Sequence, residues 1–139
     1  MTHPVHPAVV HFPVACWSLA TLADLASLRW GEPAWMFAGM LLVIGTLGGL
    51  AAMASGLPEL RKLAADDPAG TDLNRHIGLV MTAWCLYATS LVLRLHGTTL
   101  QAPDASAISL GVAGFIVLVA GGWFGGKLAH RHGIGGRRP

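Results

Sequence analysis

Charge is what this chain has least of. Only 12% of its 139 residues are Asp, Glu, Lys or Arg, where a water-facing domain carries about a quarter. So few charges cannot cover a surface that faces water, and the mean hydropathy is +0.56. The solvent implied is a lipid bilayer. Cysteine is nearly absent too. Cys16 and Cys85 both fall inside apolar stretches, with no paired spacing, which argues against a disulfide framework and gives no zinc or redox motif. No dense basic run interleaves with aromatics, so nucleic acid is not an expected partner. The opening MTHPVHP lacks Lys and Arg before the first apolar run, so that run reads as a retained helix rather than a cleaved signal. No nucleophile–base pair and no phosphate-cradling loop stands out, and no catalytic residue is expected.

What remains is four apolar segments, over about 7–28, 34–56, 76–95 and 106–129. Each is near the ~20 residues that a helix needs to cross about 30 Å of hydrocarbon. Helices satisfy their own backbone polar groups where water is absent, and alternating barrel-type patterning is missing. Short connections favour antiparallel neighbours. The expectation is therefore an all-α, integral membrane four-helix antiparallel bundle, a single transmembrane domain over 1–139 with both termini on one side. Pro13 either bends a first helix that starts near Pro7 or lies at its beginning. Seven of the nine basic residues (Arg61, Lys62, Arg75, Lys127, Arg131, Arg137, Arg138) belong to the terminal side, against Arg29 and Arg94 on the other. By the positive-inside rule that side faces the cytoplasm of a bacterial inner membrane.

Six of the seven histidines (His3, His6, His11, His76, His130 and His132) gather at the same face, from the starts of the first and third helices and the end of the fourth. Polar residues collect at wet helix ends in any case, yet the helical wheels add a second feature. His132 shares its face with Gly125, Gly121 and Gly114. His76 lines up with Ala83, Tyr87, Ser90 and Arg94, and His11 with Ala15 and Ser18. The second helix offers Gly45, Gly49, Ala52 and Gly56. Small residues in membrane helices serve close packing, and Gly45/Gly49 and Gly122/Gly126 have that spacing. The same bare backbone could also admit a flat cofactor.

Haem iron takes axial imidazoles, and one histidine on each of two facing helices would hold the ring edge-on. His76 has the clearest face, and His11 and His132 compete for the other position. Arg75 and Arg131, each beside one of these histidines, suit the propionates. With only His96 at the far end, one bis-histidine haem b is the maximum. A divalent metal site is the rival chemistry: His3, His6 and His11 lie on one lead, with Asp66, Asp67 and Asp72 on the same face, a set that suits zinc, copper or iron. At the opposite face Asp24 lies within the first helix near the depth of Arg94, and the two are expected to pair.

HPAVVHFPVA (His6 to Ala15), Asp24, SGL (Ser55 to Leu57), His76 and GGKLAHRHGIG (Gly125 to Gly135) resemble the bacterial membrane family catalogued as domain of unknown function 2231. The resemblance covers nearly the whole chain and implies a four-helix membrane domain. Relatives sometimes continue into Rieske iron–sulfur or c-type cytochrome domains, which implies a respiratory or redox setting. The family's motif histidines fall on His6, His11, His76 and His132, whereas His130 stands where relatives are expected to carry an aromatic residue. This chain has no CxxCH and no iron–sulfur cysteines, so a redox partner would be a separate polypeptide.

Three readings follow. The first is a b-type haem electron-transfer protein or small redox subunit serving a membrane partner. The second is a non-catalytic membrane subunit of a larger complex, in which the same features serve packing and docking. The third is a metal-binding membrane protein. Homo-oligomers are compatible with all three.

Overall fold

The computed structural model describes the backbone of residues 5–60 and 69–132 and the side chains of residues 9–57 and 69–131. Four long helices account for nearly all of it: α1 (Val5–Trp30), α2 (Glu32–Leu60), α3 (Gly70–Leu93) and α4 (Ala105–His132). Between α3 and α4 lies a small antiparallel hairpin of β1 (Leu95–His96) and β2 (Thr99–Leu100). All four helices are long and apolar enough to cross a membrane. The all-α membrane architecture read from hydropathy is the one that forms.

The helices outrun their apolar stretches at every end but one, because helical hydrogen bonding does not stop where hydrocarbon does; α3 stops at Leu93, short of the expected 95, where Arg94 caps it and Leu95 enters the hairpin. The largest difference is at α3, which begins at Gly70 rather than His76. Asp72 in its first turn suits the positive end of the helix dipole. At the start of α4, Asp104 Oδ1 accepts from the Ala107 amide at 2.8 Å and from Ser106 Oγ at 2.6 Å, closing the first turn as an N-cap. Pro13 lies inside α1 and is fully buried, so the helix runs through it from Val5. Two connections rely on glycine at positive φ: Gly31 at +67° ends α1, and Gly97 at +63° turns the hairpin. The basic and acidic residues Arg61, Lys62, Asp66 and Asp67 lie outside the described residues, as do Arg137 and Arg138.

The helices form two closely paired hairpins, α1 with α2 and α3 with α4, joined along a thinner seam. Contacts fix their directions. Tyr87 and Arg94 of α3 meet Thr21 and Asp24 of α1 in rising order, so those two helices run parallel. Tyr87 lies at Gly114 and His76 at Gly125, so α4 runs antiparallel to α3. At the seam Trp17 and Tyr87 stack, centroids 5.2 Å apart and planes within 5°. Ala20, Leu42, Ala83, Leu91 and Leu118 complete the buried cluster. Outward, the helices present large apolar side chains such as Leu22, Ile44, Leu47 and Ile116, as lipid contact requires.

Candidate functional site

The histidine-rich end is built by the first turns of α3 and the last turns of α4. His76 faces inward, as its wheel position predicts. Its Nδ1 lies 2.9 Å from the Gly121 carbonyl oxygen of α4, and in the tautomer that carries a proton there the ring donates to that oxygen. Beside it, Asp72 is buried and forms an ion pair with Lys127 at 2.9 Å. The Arg75 guanidinium approaches Asp72 at 4.0 Å and lies 5.7 Å from the centre of the Phe124 ring, with Lys127 5.9 Å from the same ring. The expected carboxylate of the alternative metal set is thus joined to a lysine.

His11 differs from its expected placement. With Ala15 it lies on the exposed side of α1, because the core face of that helix is made by Pro13, Cys16, Trp17, Ala20 and Asp24. His130 and Arg131 are exposed on α4. His3 lies outside the described residues, as do the side chains of His6 and His132. Among the described residues no three His, Cys, Asp or Glu side chains form a group that could hold a metal.

The glycines that face a neighbouring helix (Gly45, Gly49, Gly114, Gly121 and Gly125) are covered by the chain's own side chains, most of them rings. A Cβ on Gly45 would stand 2.9 Å from Trp17 Cδ1, and one on Gly49 would stand 2.8 Å from both Trp17 Cη2 and Trp84 Cδ1. On α4, a Cβ on Gly114 would stand 3.1 Å from the Tyr87 ring, one on Gly121 3.3 Å from Val80 Cγ2 and one on Gly125 3.0 Å from His76 Cε1. A haem between α3 and α4 needs that surface bare and the His76 ring free to face iron. The Nδ1 contact with Gly121 leaves Nε2 uncommitted and does not bear on this; what decides is that the backbone there is covered by Tyr87, Val80 and His76 itself. The described residues therefore do not fit a macrocycle in that groove. The flat groups that the glycines admit are indole, phenol and imidazole rings of this protein.

At the opposite end lies the most highly buried polar group. Arg94 Nη1 and Nη2 donate to the two Asp24 carboxylate oxygens, both at 2.9 Å, with side chains 0% and 3% exposed. Ser90 supports the guanidinium through its carbonyl at 3.2 Å and its hydroxyl at 3.0 Å. That hydroxyl in turn donates to the Ala107 carbonyl of α4 at 2.8 Å. One turn deeper, the Thr21 and Tyr87 hydroxyls are 2.9 Å apart, and Thr21 lies 3.4 Å from the Gly111 carbonyl. This network ties α1, α3 and α4 in one plane. The expected Asp24–Arg94 pairing is present, and its geometry is bidentate.

Sequence reasoning singled out Tyr87 and Ser90 only as members of a face, and it passed over Trp17, Thr21 and the Lys127–Asp72 pair. A polar position in register with Asp24, one turn earlier, was the available signal for Thr21. For Trp17, nothing in the sequence says which aromatic fills a given glycine surface. Among the described residues, Trp17 Nε1 and Thr46 Oγ1 are buried without a hydrogen-bond partner.

No curated protein and no solved structure matches the chain. One family does, over residues 2–138, and its description is "Predicted membrane protein (DUF2231)". With four apolar spans and a match that runs almost end to end, the chain belongs to that membrane protein family.

Proposed function

We propose that this protein is a non-catalytic helical subunit of a larger membrane assembly. One observation carries the reading: six inward polar side chains (His76, Asp24, Arg94, Thr21, Tyr87 and Ser90) are engaged in joining the protein's own helices. The glycine surfaces between helices, at Gly45, Gly49, Gly114, Gly121 and Gly125, are closed by internal side chains. The surface left for interaction is the apolar outside of four spans, and helices of this kind associate with others through packing rather than chemistry. The basic excess on the histidine-rich side supports a bacterial inner-membrane orientation with that side cytoplasmic.

The rival readings are a haem-bearing electron carrier and a divalent-metal protein. Purification in mild detergent from the native host, with reciprocal tagging of any stoichiometric companion, separates all three. The expected product is colourless, metal-free and held with the same partner from either tag. A Soret band that shifts on dithionite reduction, at one haem per chain, would overturn this in favour of electron transfer. Stoichiometric zinc, copper or iron without that band would favour the metal reading, and a chain that always elutes alone would end the subunit proposal.

A further inference from the structure

Along α4, Gly122 and Gly126 differ from the glycines that face α3. Among the described residues nothing lies within 4 Å of the place where a Cβ would stand on either. They form the floor of an open groove of about 590 Å³ whose other lining residues are Trp123, Lys127, His130 and Arg131. At 100° per residue, Gly122, Gly126, His130 and Trp123 share a sector of about 100° on the outer side of the helix. Trp123 stands out as a wall, 76% exposed. The bare part is apolar and the end is cationic.

We propose that this groove binds an anionic phospholipid, its phosphate held by Arg131 and His130 and one acyl chain laid over Gly122 and Gly126 against Trp123. Three observations point to that occupant. First, depth is suitable. From Gly122 to Arg131 the helix rises about 13 Å, so a headgroup at Arg131 leaves the upper acyl chain level with the glycines. Indoles favour that same boundary zone of the bilayer.

Second, the charge is complementary. Among the described residues no carboxylate lines the groove. The nearby Asp72 is already joined to Lys127 at 2.9 Å, so that lysine's charge is partly compensated while Arg131 and His130 are exposed. Arginine presents a donor fork that matches two phosphate oxygens. Phosphatidylcholine brings its own quaternary ammonium into this cationic end, and phosphatidylglycerol does not. Each cation near the surface is worth about a fivefold preference for the anionic lipid.

Third, a second copy of this chain fits the face less well. A two-fold interface is self-complementary, so the glycines of both copies would meet with Arg131 and Lys127 of each brought beside their counterparts. Like charges at that separation oppose the contact. A lipid places the opposite charge there. The proposal does not depend on the subunit reading, since it concerns only the outer face of α4.

Native mass spectrometry of the full chain, with equimolar phosphatidylglycerol and phosphatidylcholine of identical acyl chains, tests it. The expected result is one retained phosphatidylglycerol per chain, favoured about tenfold or more over phosphatidylcholine. His130→Gln combined with Arg131→Gln should bring the ratio close to one. Gly126→Leu keeps the charges but fills the groove, and should lower retention of both lipids at least about fivefold. These positions are open to the outside, so the helical fold is expected to stand, and circular dichroism of each variant checks it. Equal retention by the wild type would overturn the proposal, as would an undiminished preference in the double variant. A dimer that Gly126→Leu abolishes, with lipid preference unaltered, would assign the face to a second copy instead.

Discussion

Removing either partner of the Asp24–Arg94 pair is expected to destabilise the bundle by about 3–5 kcal/mol. Asp24→Leu leaves a guanidinium that is 0% exposed with only the Ser90 carbonyl and hydroxyl as acceptors. It loses two charge-assisted hydrogen bonds of 2.9 Å, each worth about 1.5–3 kcal/mol. Two such losses give roughly 3–6 kcal/mol, in line with the cost of an orphaned buried charge. Arg94→Met strands the carboxylate in the same way. The double variant removes both charges and leaves apolar side chains of similar volume, so it should lie within about 1–2 kcal/mol of wild type, most of that from the Arg94 donors that the Ser90 carbonyl and hydroxyl lose. The coupling energy in the cycle is then at least about 3 kcal/mol. Unfolding in mixed micelles by titration with sodium dodecyl sulfate, followed by far-ultraviolet circular dichroism, measures all four proteins. Costs below about 1 kcal/mol for the single variants, or a double variant that equals the sum of the singles, would refute the claim that this pair locks the hairpins together.

Three further outcomes are expected. Gly125→Ala drives a methyl into His76 Cε1, 3.0 Å away, and should cost about 1–3 kcal/mol; His76→Ala in that background should recover most of it, and an unchanged cost would separate the two residues. Gly49→Ala, facing two indoles at 2.8 Å, should be destabilising, whereas Gly78→Ala, with nothing within 4 Å, should gain up to about 1 kcal/mol of helix stability; matching effects at the two sites in the same micelle titration would contradict this. The Asp104 carboxyl is held below its ordinary range, first by the Ser106 hydroxyl and then by the Ala107 amide. Because the folded value is the lower one, the cap is fully present above the ordinary carboxylate range and is lost as pH falls through the folded value. The Ala107 amide resonance should stay put from neutrality down to about pH 5 and move only in stronger acid, and Asp104→Ala should remove that movement.

The four spans were legible because hydropathy alone specifies them, and the short connections left few arrangements. Asp24 and Arg94 were legible as a pair because ionisable groups at matched depth within apolar helices have few other partners. The inward face of α3 was readable for a similar reason: Ala83, Tyr87, Ser90 and Arg94 are small or polar against apolar neighbours. For α1 the same reasoning misled. Its two sides are almost equally apolar, so a line through His11, Ala15 and Ser18 looked as inward as the true core line through Pro13, Trp17 and Asp24. The occupants of the glycine surfaces were not legible at all. Glycine spacing records where backbone is bare, and Trp17, Tyr87 and His76 reach those places from other helices, which no single-helix pattern encodes.

The ion pair also has a history within the making of each molecule. Asp24 and Arg94 are separated by 70 residues, so at about 5–20 residues per second the acid is synthesised roughly 4–14 s before its counterpart. Through that interval the first hairpin stands in the bilayer with an unanswered polar group, and it is complete only when the second hairpin arrives. A chain that lacks Arg94 closes on that group without an answer to its charge, and spends more of its time opened. Its defect would register with the proteases that clear unfinished membrane proteins, as a fall in abundance, before any partner had the chance to miss it.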